Sequence, residues 1–268
     1  LEWQVSRPGL QPWGLPVVAE TYDGALNDIN GFHVKDEHVL EALDRASGGP
    51  VAEGNVGGGT GMACHQFKGG IGTASRVLAD AGAFTVGVLV QCNYGLRPGL
   101  RVAGAPVGRE IPDLLPCTIM GAPNASGIGR PCEGPGPAAG GDVEQGSIIV
   151  VVATDAPLLP HQLKRLATRV ALGVGRMGGY GGNSSGDIFL AFSTANAKAA
   201  AEPDKSRVEM LANGRLNGLF EATVQATEEA ILNALLAAET MTGVDGHRVY
   251  ALPHDRLLAA LRKYNLLN

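Results

Sequence analysis

The 268 residues carry 21 Lys and Arg against 26 Asp and Glu, a formal net charge of -5, and no run of basic residues. That balance excludes the electrostatic footprint of a nucleic-acid binder and leaves a small molecule or peptide as partner. Hydrophobic residues make up 45% and charged residues 18%, enough for the core of one domain over residues 1–268, whereas apolar runs such as 86–90 and 148–153 fall far short of the roughly 20 residues that cross a bilayer as a helix.

Residues 17–20 read as a short strand entering the turn Thr21-Tyr22-Asp23-Gly24. Over 36–46, Val39, Leu40, Leu43 and Ala46 form the stripe of an amphipathic helix, ended by Gly48-Gly49-Pro50. Glycines at 54, 57, 58, 59, 61, 69, 70 and 72 are too closely spaced for a regular element, so 54–72 is predicted to be a special loop. Residues 84–91 read as a buried strand delivering Cys92-Asn93-Tyr94-Gly95 to its end. Prolines at 112, 116, 123, 131, 135 and 137 erase any period between 111 and 145, which reads as a flexible, exposed connection. Directly after it, 147–153 (Ser-Ile-Ile-Val-Val-Val-Ala) is the strongest strand signal in the chain, apolar throughout as a strand covered on both faces is.

Residues 160–174 place Leu163, Leu166, Ala167, Val170, Ala171 and Val174 on one helical face. In 187–194, Ile188, Leu190 and Phe192 alternate as in a strand, with Ser185 and Asp187 at its entrance. A second long helix over 220–236, a hairpin around Asp245-Gly246 and a last helix over 255–264 complete the chain. Strands and helices mix without a regular βαβ rhythm, which predicts an α+β layered sandwich.

The local motifs are weak guides to chemistry. The loop Gly54 to Met62 lacks the Lys-Ser or Lys-Thr of a P-loop, and Met62 stands where G-x-G-x-x-G needs its third glycine. Gly182-Asn183-Ser184-Ser185-Gly186 matches the G-x-S-x-G nucleophile elbow, with His247 and His254 downstream, but an elbow is a strand-to-helix turn and here a strand follows. His33 and His38 miss the i, i+4 spacing of a metal pair, and the six histidines include no H-E-x-x-H. Cys64, Cys92, Cys117 and Cys132 show no C-x-x-C spacing and read as free buried thiols. Neither a metal nor a cofactor is expected. Residue 1 is Leu and no leader peptide is visible, so the chain reads as a fragment or a processed form, placed in the cytoplasm with the periplasm as the alternative.

Read in series, P-V-V-A-E-T-Y-D-G (16–24), L-N-D-I-N-G-F-H-V (26–34), G-N-V-G-G-G-T-G-M (54–62), F-K-G-G-I-G-T-A-S-R-V (67–77), G-S-I-I-V (146–150), A-T-D-A-P-L-L-P-H-Q (153–162) and S-S-G-D-I-F-L-A-F-S-T (184–194) resemble the L-aminopeptidase/D-esterase (DmpA-like) family, which includes the beta-peptidyl aminopeptidases. The resemblance runs over nearly the whole chain in order. It implies a four-layer αββα sandwich like that of N-terminal-nucleophile hydrolases, with family-specific connectivity. It also implies scission between Gly146 and Ser147 into subunits 1–146 and 147–268, the first without the segment that relatives carry before P-V-V-A-E-T-Y-D-G.

By the same resemblance Ser147 is the nucleophile, Ser185 and Asp187 orient it, Asn93 supplies the oxyanion hole, Tyr22 lines the site and Glu20 pairs with the substrate's ammonium. The implied substrates are short peptides, amides or esters with L-, D- or β-amino acids at the N-terminus, and the implied assembly is a homo-oligomer, a tetramer of processed heterodimers. The freed α-amine of Ser147 has an intrinsic pKa of about 7.7–8.0 and can act as the base without a histidine. The alternatives are an acyltransferase of the ornithine acetyltransferase type and an unprocessed, non-catalytic homologue.

Overall fold

The computed structural model describes residues 1–10, 13–79, 82–120, 130–133, 146–199 and 204–267. Its first elements are two exposed helices, α1 (Glu2–Val5) and α2 (Asp36–Asp44). Strands β1 (Ala63–Cys64) and β2 (Phe67–Lys68) make a ribbon turned at His65 and Gln66, both with positive φ (48° and 59°). Arg97 buttresses that turn. Its guanidinium donates to the carbonyls of His65, Gln66, Ile111 and Leu114 and lies 3.2 Å from the centroid of the Phe67 ring.

The central sheet runs β3 (Gly70–Leu78), β4 (Phe84–Asn93), β6 (Ser147–Thr154), β7 (Ile188–Ser193), with β3, β4 and β6 antiparallel in turn and β6 parallel to β7. Between β4 and β6 lie α3 (Val107–Glu110) and β5 (Cys117–Thr118). The parallel pair needs a crossover, supplied by α4 (Pro160–Arg176). Proline at its first position and Gln162, whose side chain accepts from Leu159 N–H at 3.1 Å, start that helix. After β7 comes α5 (Asn217–Ala237). The chain ends with β8 (Met241–Thr242), β9 (His247–Val249) and α6 (His254–Lys263), and β9 pairs with both β5 and β8.

Helices α4 and α5 cover one face of the central sheet. Val86, Val88, Val90, Ile148, Val150 and Val152 point into that layer with Leu166, Val170, Ala230 and Ile231, and each large side chain so buried stabilises the fold by roughly 1.5–3 kcal/mol. Gly72 lets α5 approach closely, since a Cβ there would lie 2.0 Å from Ala230 O. The mixed α+β class is the one expected. Among the described residues no helix is long and apolar enough to cross a membrane.

Several expectations need correction. Residues 17–20 form no strand, because no neighbouring strand satisfies their backbone. The Gly-rich stretch is not loop throughout, since β1, β2 and the start of β3 fall within 54–72. Strand β6 is fully covered on the helical face only; Val151 and Ala153 on the other face are partly exposed, and Ile188, Leu190 and Phe192 of β7 are exposed beside them. The stripe of α2 is likewise not packed, with Val39 and Leu43 exposed. The cysteines are not free thiols: Cys64 is bonded to Cys92 and Cys117 to Cys132. In the Pro-rich connection Ile111 and Cys117 are buried, so its described part is not an exposed linker; residues 121–129 and 134–145 lie outside the described residues.

Candidate active site

The ladder between β4 and β6 ends with Asn93 directly opposite Ser147. Ser147 is the first residue of β6, and Gly146 before it has φ +153°, with a position where a Cβ would lie 2.1 Å from Asn93 O. Only glycine fits so close to the β4 backbone. The bond between Gly146 and Ser147 therefore sits where an irregular backbone meets a hydrogen-bonded strand.

The loop before β7 closes on Ser147 from the other side. Gly186 N–H donates to Ser147 Oγ at 2.9 Å. Asp187 Oδ1 accepts from Ser185 Oγ at 2.5 Å and from the backbone N–H of Ile148 at 3.0 Å. One carboxylate thus ties the serine loop to the backbone next to Ser147, and charge-assisted bonds of this kind are the stronger class. Asn93, buried, has both ends of its carboxamide engaged: Oδ1 accepts from Ala63 N–H at 2.8 Å, and Nδ2 donates to Tyr22 O at 2.9 Å. Because the backbone N–H of Ala63 can only donate, it fixes which way the amide points. Among the described residues the second Nδ2 hydrogen has no acceptor.

Ser147, Ser185, Asp187, Asn93 and Gly146 are thus brought together. Tyr22 enters through its main-chain carbonyl, while its exposed ring folds over Gly24, whose Cβ would lie 2.5 Å from the phenol oxygen. Glu20 is exposed and has no side-chain partner among the described residues. The motif 182–186 lies in the turn ahead of β7 rather than between a strand and a helix, and His254 Nε2 is 3.0 Å from Leu236 O, so the nucleophile-elbow alternative has no geometric support. Motif reading missed Gly186 N–H, Ala63 N–H and Thr21, because two are backbone groups and the third looks like an ordinary turn residue.

Behind the site, burial of His65 pushes its imidazole down to about 4, assisted by the nearby Arg97 cation and opposed by a hydrogen bond to Leu96 O. Burial likewise lowers Lys68 to about 8; its Nζ donates to Gly59 O and Gly69 O at 3.0 and 2.8 Å.

The fold is that of the N-terminal-nucleophile hydrolases in a variant form. The L-aminopeptidase D-ala-esterase/amidase of Ochrobactrum anthropi, described as a prototype of the serine aminopeptidases and a new variant among the Ntn hydrolase fold, superposes with a TM-score of 0.83 at 46% identity, over 100% of this chain and 69% of that one. A Burkholderia sp. beta-aminopeptidase gives 0.79 at 48% identity, over 98% and 68%. The profile of Peptidase family S58 matches residues 2–249, and the chain belongs to that family. Beta-peptidyl aminopeptidase BapA of Sphingosinicella microcystinivorans is 58% identical over 265 residues, 98% of this chain and 64% of the relative. Its counterpart in Sphingosinicella xenopeptidilytica is 50% identical over 254 residues, 92% and 60%. The chain thus spans less than two thirds of the length of these curated relatives.

Proposed function

We propose that this chain is the catalytic part of a self-processing serine aminopeptidase with Ser147 as its N-terminal nucleophile. The observation that carries the proposal is the position of Ser147 at a strand start, after a strained glycine, with Oγ held by Gly186 N–H and Asn93 directly opposite. Ser147 Oγ attacks the carbonyl carbon of Gly146, the peptide C–N bond breaks, and the acyl group passes to oxygen. Water then hydrolyses the ester, leaving a carboxylate on Gly146 and an amine on Ser147.

In turnover the neutral amine takes the Oγ proton as Oγ attacks the substrate carbonyl. Asn93 Nδ2 donates to the oxyanion, collapse expels the protonated amine leaving group, and water releases the acyl group by the reverse path. Ser185 and Asp187 hold the amine and the serine in register, and Tyr22 lines the pocket. Glu20, exposed beside it, receives the substrate's ammonium, which makes cleavage exopeptidic. The relatives named beta-peptidyl aminopeptidase and beta-aminopeptidase support β-aminoacyl peptides and amides as substrates, and the L-aminopeptidase D-ala-esterase/amidase supports L- and D-aminoacyl ones as the alternative. The working assembly is a homo-oligomer of cut chains.

The two disulfides favour an oxidising compartment, the periplasmic alternative over the cytoplasm. The test is purification followed by intact mass, Edman sequencing and amine release from a panel of L-, D- and β-aminoacyl amides. Two fragments, one beginning Ser-Ile-Ile-Val, together with release of N-terminal residues support the proposal. A single intact chain inactive on every amide overturns it, and acyl transfer from acetylornithine to glutamate replaces it with the acyltransferase alternative.

A further inference from the structure

The Gly-rich stretch and the turn after Glu20 are joined by contacts that the chemistry above does not use. Thr21 is the one buried residue between Trp13 and Ala25. It is held from β4: Gln91 Nε2 donates to Thr21 Oγ1 at 2.7 Å, and Thr21 Oγ1 donates in turn to the buried Met62 Sδ. Gln91 lies two residues before Asn93 and therefore on the same face of the sheet. Two side chains of one strand thus grip two successive residues, Gln91 on the hydroxyl of Thr21 and Asn93 on the carbonyl of Tyr22.

The glycines make room for this grip. A Cβ on Gly58 would lie 2.1 Å from Gln91 Oε1, and one on Gly61 would lie 2.7 Å from Asp23 Cβ and 2.6 Å from Asn27 Nδ2. Bare backbone therefore packs on the Gln91 carboxamide and on the turn 23–27, and any side chain at either glycine would displace one of them. Lys68 pins the far side of the loop by donating from Nζ to Gly59 O and Gly69 O.

We infer that Gln91 and Thr21 are positioning residues that hold the Glu20 and Tyr22 rim against β4 and so set substrate affinity, with the Gly-rich loop as the mould that admits them. The inference rests on the aminopeptidase reading in its substrate half, since Glu20 and Tyr22 touch substrate only under that reading. Among the described residues no hydrogen bond links Gln91 or Thr21 to Ser147, so their effect is expected on substrate affinity and not on the chemical step.

The experiment uses the full chain with Thr21→Val, Gln91→Leu and, as the conservative control, Thr21→Ser, which keeps the hydroxyl. Three quantities are read: scission by intact mass, kcat and KM on a β-alanyl p-nitroanilide, and hydrogen exchange of residues 13–25. Thr21→Val and Gln91→Leu are expected to cut themselves, to raise KM about tenfold with kcat within about twofold of wild type, and to exchange faster over 13–25. Thr21→Ser is expected to stay near wild type in all three.

Unchanged KM and unchanged exchange in both Thr21→Val and Gln91→Leu would overturn the inference, as would a loss confined to kcat. Failure of the aminopeptidase reading looks different. A wild-type chain that neither cuts itself nor releases p-nitroaniline overturns that reading, and exchange over 13–25 then decides the positioning role alone: faster in the two variants upholds it, unchanged removes it.

Discussion

Asn93 and Ser147 are opposed partners at the end of one antiparallel ladder, so their separation is set by backbone hydrogen bonds of β4 and β6 rather than by flexible side chains. Under the proposed mechanism this pairing organises nucleophile and oxyanion donor before substrate arrives, and electrostatic stabilisation depends on that. Asn93→Ala is accordingly expected to lower kcat by about 10²–10³ and, because Asn93 also holds Tyr22 O, to raise KM as well. Steady-state kinetics on a β-aminoacyl amide measure it, and a variant within a factor of about three of wild type would remove Asn93 from the mechanism.

Scission should depend on the two residues flanking the bond in different ways. Ser147→Ala is expected to leave one uncut, inactive chain on a denaturing gel. Gly146→Ala places a Cβ against Asn93 O at a φ that alanine rarely adopts, which costs on the order of 1–3 kcal/mol. It is therefore expected to slow scission or to shift the strand end. A time course of fragment appearance after expression distinguishes the two variants, and normal cutting in Ser147→Ala would refute the assignment of the nucleophile.

Asp187→Asn tests the carboxylate beside the amine that the proposed scission would free on Ser147. Asp187 Oδ1 accepts two donors, and a negative charge close to an ammonium holds its pKa up. Removing the charge is expected to lower kcat about tenfold and to move the acidic limb of the kcat/KM profile to lower pH. A profile shifted to higher pH, or not shifted at all, would mean that the carboxylate does not act on the amine.

His65 makes the fold sensitive to acid. Burial lowers its imidazole from 6.5 to about 4 in the folded chain, so the unfolded chain binds a proton first as pH falls. Stability therefore drops between pH 6.5 and 4, by up to about 3 kcal/mol from this group. Asparagine tolerates the positive φ at this turn, and His65→Asn is expected to lose that share of the pH dependence. Urea midpoints at pH 4.5 and 7 for both proteins provide the comparison.

The two disulfides predict that denatured, unreduced protein takes up no alkylating label and that reduction exposes four thiols. Each bond closes a loop, of sequence separation 28 and 15, and typically contributes 2–4 kcal/mol. Reduced protein should therefore unfold at markedly lower denaturant. Label uptake before reduction would show that the pairs are open.

What the sequence alone determined is what short-range periodicity encodes. The apolar run 147–153, the stripe of 160–174 and the alternation in 187–194 correspond to β6, α4 and β7 within a few residues, because side-chain period follows local backbone geometry. The order of the motif blocks carried the family as well. Tertiary structure alone decided the rest: that Asn93 meets Ser147, that Gly186 lends its N–H to Oγ, and that Gly70–Leu78 is a strand despite its glycines. It also decided which cysteines pair and which face of β6 is covered. These are contacts between residues tens of positions apart, set by strand register and by backbone groups that every residue carries, so no local pattern of side chains can announce them.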